Sequence, residues 1–197
     1  MQYLIDTRVK DPTKLLKEII KRPIIGHNLK YDYQVIKQNY GVELSDVFDT
    51  MLAEQVLDCG SFEGIRKGWY GLAQVSHRRV GIDFYSSQGN LFLPTITKEL
   101  QKSFTKQGDT PFSLAQLLYA ALDVEATYRT YSAQQIQIVK DNLEATIELE
   151  NEYLKVLGDM ELVGVFLNQK QWLDNYRQTL LATEKLREML SAYAPIN

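Results

Sequence analysis

Cysteine is almost absent from this chain, with Cys59 the single one in 197 residues. One thiol cannot close an internal disulfide, and Cys59 has no thiol or His partner at metal-ligand spacing. A disulfide-stapled scaffold and a thiolate metal site are therefore excluded, and a reducing cytosol fits. Long apolar runs are lacking too. None approaches the roughly 18 residues of a membrane-spanning helix. The opening MQYLIDTRVKD has no apolar segment behind a basic start, so neither a membrane span nor an ordinary secretory signal is expected. Positive charge is in slight deficit: 22 Lys and Arg stand against 25 Asp and Glu, for a net charge of −3 and a pI near 5.5. The chain is thus not broadly basic, as many stand-alone nucleic-acid-binding domains are. Contact with phosphates is still allowed, because a site that holds cations among carboxylates needs only a local basic rim for them.

What is present describes a folded globular chain. Hydrophobic residues make up 45% and charged residues 24%, and the length suits one full domain, or one domain plus part of another, with a sizeable core. YLI is a short β-prone run, followed by an amphipathic helix in which Leu15, Leu16, Ile19 and Ile20 share a face until Pro23 ends it. PIIG at 23–26 reads as a short buried strand. Asn28 or Asp32 then opens a helix through Tyr33 and Ile36 that stops before Gly41. DVFDTMLAEQVLD gives a second strand and helix, with Asp49 as a cap, and GLAQVSHRRVG a helix ending at Gly81. The order predicts an α/β layer structure. Residues 85–112 read as loop with a short element around ITKELQKSF, and Ser113 caps a long helical region. From about 134 an acidic helix carries Ile136, Val139, Leu143, Ile147, Leu154 and Leu157 on one face. ELVGVFLN breaks it as a strand or hairpin arm, and Asn168 caps a last helix with Trp172, Tyr176, Leu180 and Leu186 turned inward.

Two pairs of residues carry chemistry. Asn28 and Asp32 lie four apart where a strand feeds a helix, and Tyr119 and Asp123 lie four apart within a helix, so each pair shares a face. A carboxylate on a divalent ion and a phenol one turn away can hold the same water from two sides. Taken singly, each pair fits a bland reading better: a capping Asn with a solvated Asp, or a core aromatic beside a surface Asp. His27 suits a substrate contact or packing. His77, Arg78 and Arg79 suit phosphates or, preferably, a solvated helix end.

Read in order, HNLKYDYQVIKQNYG, VFDTMLAEQVL, KELQKSF and QLLYAALDVEATYRTY resemble the proofreading 3′–5′ exonuclease domain of family A DNA polymerases, the Tyr-type branch of the DEDD superfamily. EYLKVLGDMELVGVFLN is similar to the segment where the polymerase portion of those enzymes begins. The resemblance implies a ribonuclease H-like mixed sheet flanked by helices over residues 1–133, then a helical start of the polymerase portion over 134–197. It implies that Asp32 and Asp123 are metal carboxylates for Mg2+ or Mn2+ and that Tyr119 orients the attacking water. His27 and Asn28 become contacts to the 3′ end of single-stranded DNA. Lys98, Gln101 and Phe104 fall in a segment typical of some members, with no physical role legible in it.

The family's first motif, Asp-x-Glu on the first strand, has no counterpart upstream of Asp32. The early candidate Asp6 has Arg8 where the Glu would stand, and a cation there opposes metal binding. YLIDTRVKDPTKLLKEII instead resembles the strand and helix that follow that motif, so the fold is expected to lack its first strand region. Two ions about 4 Å apart repel strongly and need several shared anionic ligands. Residues 1–197 alone are therefore expected to bind the metal pair weakly and to be nearly inactive, and to stop before any polymerase motif. An exposed sheet edge would be covered by a separate polymerase chain or by self-association. A non-enzymatic interaction or structural subunit, from a split gene or a remnant, is the alternative. A cytoplasmic setting is expected, that of the host cell if the gene is phage-borne.

Overall fold

The computed structural model of the chain describes residues 2–59, 68–81 and 98–193. They form two compact units, Met1–Leu162 and Val163–Asn197. The first unit holds α1 (Thr13–Ile19), β1 (Ile24–Gly26), α2 (Leu29–Tyr40), β2 (Val47–Asp49), α3 (Thr50–Asp58), α4 (Leu72–Val80), α5 (Lys98–Ser103), a 3-10 turn (Phe104–Lys106), α6 (Leu114–Lys140) and nearly all of α7 (Glu144–Val163); α8 (Gln169–Tyr193) lies in the second. The architecture is thus mixed α/β, with helices predominating. Among the described residues the strands are β1 and β2, paired in parallel with Ile24 opposite Val47 and Gly26 opposite Asp49. No described helix is long and apolar enough to cross a membrane.

The core explains why β1 and α2 stay where they are. Leu29 and Tyr33, one turn apart on α2, pack with Leu44, Val47 and, from α7, Leu154. Each such side chain contributes about 1.5–3 kcal/mol when taken fully out of water. A second cluster joins Ala53 of α3 with Ile138 of α6 and Ile147 of α7. Close approach of α7 to α2 requires Gly158: a Cβ there would sit 2.8 Å from Cδ1 of the buried Tyr33 ring. Polar contacts surround this seam. Lys37 reaches Asp159 at 2.6 Å, the Tyr33 hydroxyl donates to Asp159 at 2.9 Å, and Lys30 pairs with Glu161 at 2.7 Å. α6 starts on a capping box, in which Ser113 Oγ accepts from the Gln116 N–H and the Gln116 side chain accepts from the Ser113 N–H.

Several sequence expectations need correction. Tyr3–Ile5 form no strand; the chain there runs without regular structure into a turn, where Arg8 holds the Asp6 carboxylate at 2.6 Å. The acidic helix expected from about 134 is two helices. α6 runs through the change of character at 133 and ends at Lys140, because Asn142 adopts the left-handed region (φ 55°). The Leu143 N–H then bonds the Ile138 carbonyl at 3.0 Å, a Schellman closure that tucks Leu143 against the second cluster. Residues 161–168 form no strand: α7 continues to Val163 and irregular backbone follows. Trp172, Tyr176, Leu180 and Leu186 were expected to face inward but are exposed, since among the described residues of their unit α8 is the one complete helix. Asn168 does cap that helix, its Oδ1 accepting from the Gln171 N–H at 3.2 Å. Of the loop expected at 85–112, residues 85–97 lie outside the described residues.

Candidate active site

Gly26 ends β1, and the chain then enters α2 through Asn28 in a left-handed conformation (φ 58°). The Asn28 side chain makes no capping bond; the cap comes from across the sheet. The Asp49 carboxylate, buried at the end of β2, accepts the N–H groups of Asn28 at 2.9 Å and Leu29 at 2.7 Å. It also caps its own helix α3, accepting from Met51 at 2.8 Å and Leu52 at 3.4 Å. One carboxylate thus fixes the starts of two helices, satisfying N–H groups a helix start leaves unpaired. Asp32 stands in the first turn of α2 as a result.

His27 is held on both sides of its ring. Nε2 lies 2.9 Å from the Tyr70 carbonyl, which can only accept, so Nε2 carries the proton; Nδ1 lies 2.9 Å from the Thr50 hydroxyl. Burial lowers the His27 pKa against the opposing pull of Asp49, so the ring is neutral at neutral pH. Both nitrogens serve the scaffold, tying the β1 exit to α3 and to the turn before α4.

Tyr119 and Asp123 sit one turn apart on α6, and their helix packs on α4, α3 and β1. The amide Nε2 of Gln101 donates to the Tyr119 hydroxyl oxygen at 3.2 Å. Burial and the Asp123 charge push the phenol up to about 12, so it keeps its proton. The Phe104 ring packs against Tyr119 with centroids 5.9 Å apart. Gln101 and Phe104, without a role in the sequence reading, are therefore the setting of Tyr119; no periodicity or spacing marks that relation. The Lys98 side chain is not among those described.

The tertiary fold brings His27, Asp32, Tyr119 and Asp123 onto one open cleft of about 940 Å³, with Gln101 also on its wall. Asn28 is exposed beside them at the start of α2. Crowding by protein atoms, and secondarily the charge of Asp49, raises the Asp32 pKa although the residue keeps exposed surface. A carboxylate that the fold destabilises in its charged form is one that a cation would relieve. Two carboxylates fit the oxygen preference of Mg2+, which is commonly held by one or two carboxylates plus substrate phosphates. Among the described residues no group of three or more His, Cys, Asp or Glu side chains converges to cage a metal.

Arg78 and Arg79 do not end in solvent. Both pair with the buried Glu54 of α3, at 3.1 and 2.7 Å, and Gln134 Nε2 of α6 adds a bond to Glu54 at 2.9 Å. Arg78 also lies 4.0 Å over the Trp69 ring. A carboxylate this buried needs paired charges, and α4 supplies them.

Residues 2–138 match the 3′–5′ exonuclease family. DNA polymerase I of Borreliella burgdorferi is 24% identical over 148 residues, covering 75% of this chain and 14% of that protein. DNA polymerase I of Aquifex aeolicus is 33% identical over 123 residues, covering 62% of this chain and 17% of that one. The chain spans less than a fifth of the length of these relatives. With a family match over most of its length, the chain belongs to the 3′–5′ exonuclease family of DNA polymerase I-like, family A proteins.

Proposed function

We propose that the cleft receives the 3′ end of single-stranded DNA and is part of a proofreading site that hydrolyses the terminal phosphodiester, on a ribonuclease H-like scaffold over residues 1–133 with the start of a polymerase portion beyond. The supporting observation is that Asp32, Tyr119 and Asp123, from distant segments, line one cleft. Asp32 and Asp123 would hold Mg2+ or Mn2+. Bound there, a divalent cation supplies an acidified water and neutralises phosphate charge. Tyr119 keeps its proton at neutral pH and can hold a water by hydrogen bond for in-line attack. The water oxygen then bonds to phosphorus as the bond from phosphorus to the penultimate O3′ breaks, releasing a nucleoside monophosphate. Asn28 and His27 shape the cleft mouth for the terminal nucleotide, and Asp49 fixes the backbone that carries them.

Residues 1–197 hold two of the three carboxylate motifs of the family, short by an Asp and a Glu that would share the ions. On their own they bind the metal pair weakly and hydrolyse slowly, and a separate polymerase chain or a second copy would cover the sheet edge. The setting proposed is a reducing cytoplasm. The test is nucleotide release from a 5′-labelled single strand with Mg2+ or Mn2+, by residues 1–197 and by a chimera that supplies an upstream Asp-x-Glu strand. Near-background release by the first and release abolished by Asp123→Ala in the second are expected. Efficient release by residues 1–197 refutes the shortage; no release by the folded chimera refutes the exonuclease reading and leaves an interaction subunit.

A further inference from the structure

The phenol oxygen of Tyr119 has one proton to give and two lone pairs to offer. Gln101 approaches it with Nε2, a group that only donates, at 3.2 Å. One lone pair is thereby occupied, and the phenol proton is directed away from Gln101. Asp123, one turn on along α6, lines the same cleft as Tyr119 and Gln101. The ring itself is held by Phe104, which packs in turn on Phe112 with centroids 5.7 Å apart.

The segment carrying Gln101 is anchored to the helix carrying Tyr119. Gln116, buried in the capping box of α6, donates Nε2 to Ser103 Oγ at 2.9 Å and to Gln107 Oε1 at 2.6 Å. α5, the 3-10 turn and the first turns of α6 thus form one hydrogen-bonded piece, and Gln101 is placed relative to Tyr119 by that piece rather than by the rest of the fold. The Gln101 residue is itself exposed, so its contact with Tyr119 is not a by-product of core packing.

We propose that Gln101 is a positioning residue for the exonuclease cleft: its donated amide N–H sets the direction of the Tyr119 hydroxyl, and so which way the phenol proton is offered. This rests on the proposed function above. Donor character, not size, is what counts: Gln101→Glu is isosteric but would accept the phenol proton and turn it back toward position 101, Gln101→Met makes no bond, and Gln101→Lys can still donate.

The test places 3-fluorotyrosine at position 119 of residues 1–197 and reads its 19F signal, without and with Mg2+ and a short oligothymidylate whose 3′-terminal linkage is a phosphorothioate. The exposed variant Lys102→Ala serves as control. The wild-type signal should move on adding DNA, and Lys102→Ala and Gln101→Lys should reproduce that shift. Gln101→Met and Gln101→Glu should start from displaced signals and lose most of the response. Equal responses in all variants overturn the positioning role while leaving the cleft as the DNA site. A response kept in Gln101→Glu overturns it by showing that donor character is irrelevant. A wild-type signal that ignores DNA overturns the proposed function, and the role of Gln101 with it.

Discussion

Replacing Asp49 tests how the cleft is built. Its carboxylate is 1% exposed and accepts three backbone N–H groups at 2.7–2.9 Å and a fourth at 3.4 Å. A hydrogen bond to a charged group is worth about 1.5–3 kcal/mol net, and a buried donor left unpaired costs about 1–3 kcal/mol. Three such bonds lost in Asp49→Ala, partly repaid by local relaxation and entering water, give a destabilisation of about 3–5 kcal/mol. Asp49→Asn is the sharper perturbation, because it keeps the shape and opens no cavity. It exchanges one acceptor oxygen for an NH2 facing backbone N–H groups, so it should still cost about 2 kcal/mol. Urea unfolding followed by circular dichroism measures both. In a chain of this size each kcal/mol lowers the melting temperature by about 2–4 °C. In the folded variants, amide exchange at Asn28 and Leu29 should accelerate while that in the middle of α6 does not. An Asp49→Asn protein as stable as wild type would refute the assignment of these N–H groups to the carboxylate.

Two further outcomes follow from the same packing. The Asp32 pKa is raised in the folded state above its ordinary 3.8, so the ionised carboxylate is less comfortable folded than unfolded. Asp32→Asn should therefore be more stable than wild type at neutral pH, with the advantage shrinking as pH falls through the folded pKa and gone below 3.8; thermal melts across pH read this, and a variant less stable at neutral pH contradicts it. Gly158→Ala gains up to about 1 kcal/mol of helix propensity but forces a Cβ to 2.8 Å from a Tyr33 ring that is 0% exposed. A net loss of about 1–2 kcal/mol is expected in urea unfolding, and equal or greater stability would show that α7 does not seat on α2 through this contact.

The parts of the fold legible in the sequence are those decided within a few residues. Gly41 ends α2, Ser113 opens α6 and Asp49 opens α3, all as their capping chemistry predicts. The misreadings have local causes of a different kind. An apolar periodicity running through 134–157 does not reveal that Asn142 turns left-handed and splits it into two helices. The β-branched run around Val163–Val165 carries strand propensity, yet α7 extends to Val163 before breaking. Arg78 and Arg79 read as a basic helix end because nothing in their own segment announces the buried Glu54 they neutralise.

By itself the sequence determined the residue chemistry and the family: a carboxylate one turn into α2, a phenol and a carboxylate one turn apart on α6, and a text shared with 3′–5′ exonucleases. Those are properties of spacing along a helix, set by its 3.6-residue turn. Only the tertiary structure decided that Asp32 and Asp123 open onto the same cleft, that Asp49 caps two helices at once, and that Gln101 and Phe104 hold Tyr119. Each of these joins groups from different elements. Their meeting depends on the packing of α6 against β1, α3 and α4, a sum of many weak contacts that no short stretch of sequence contains.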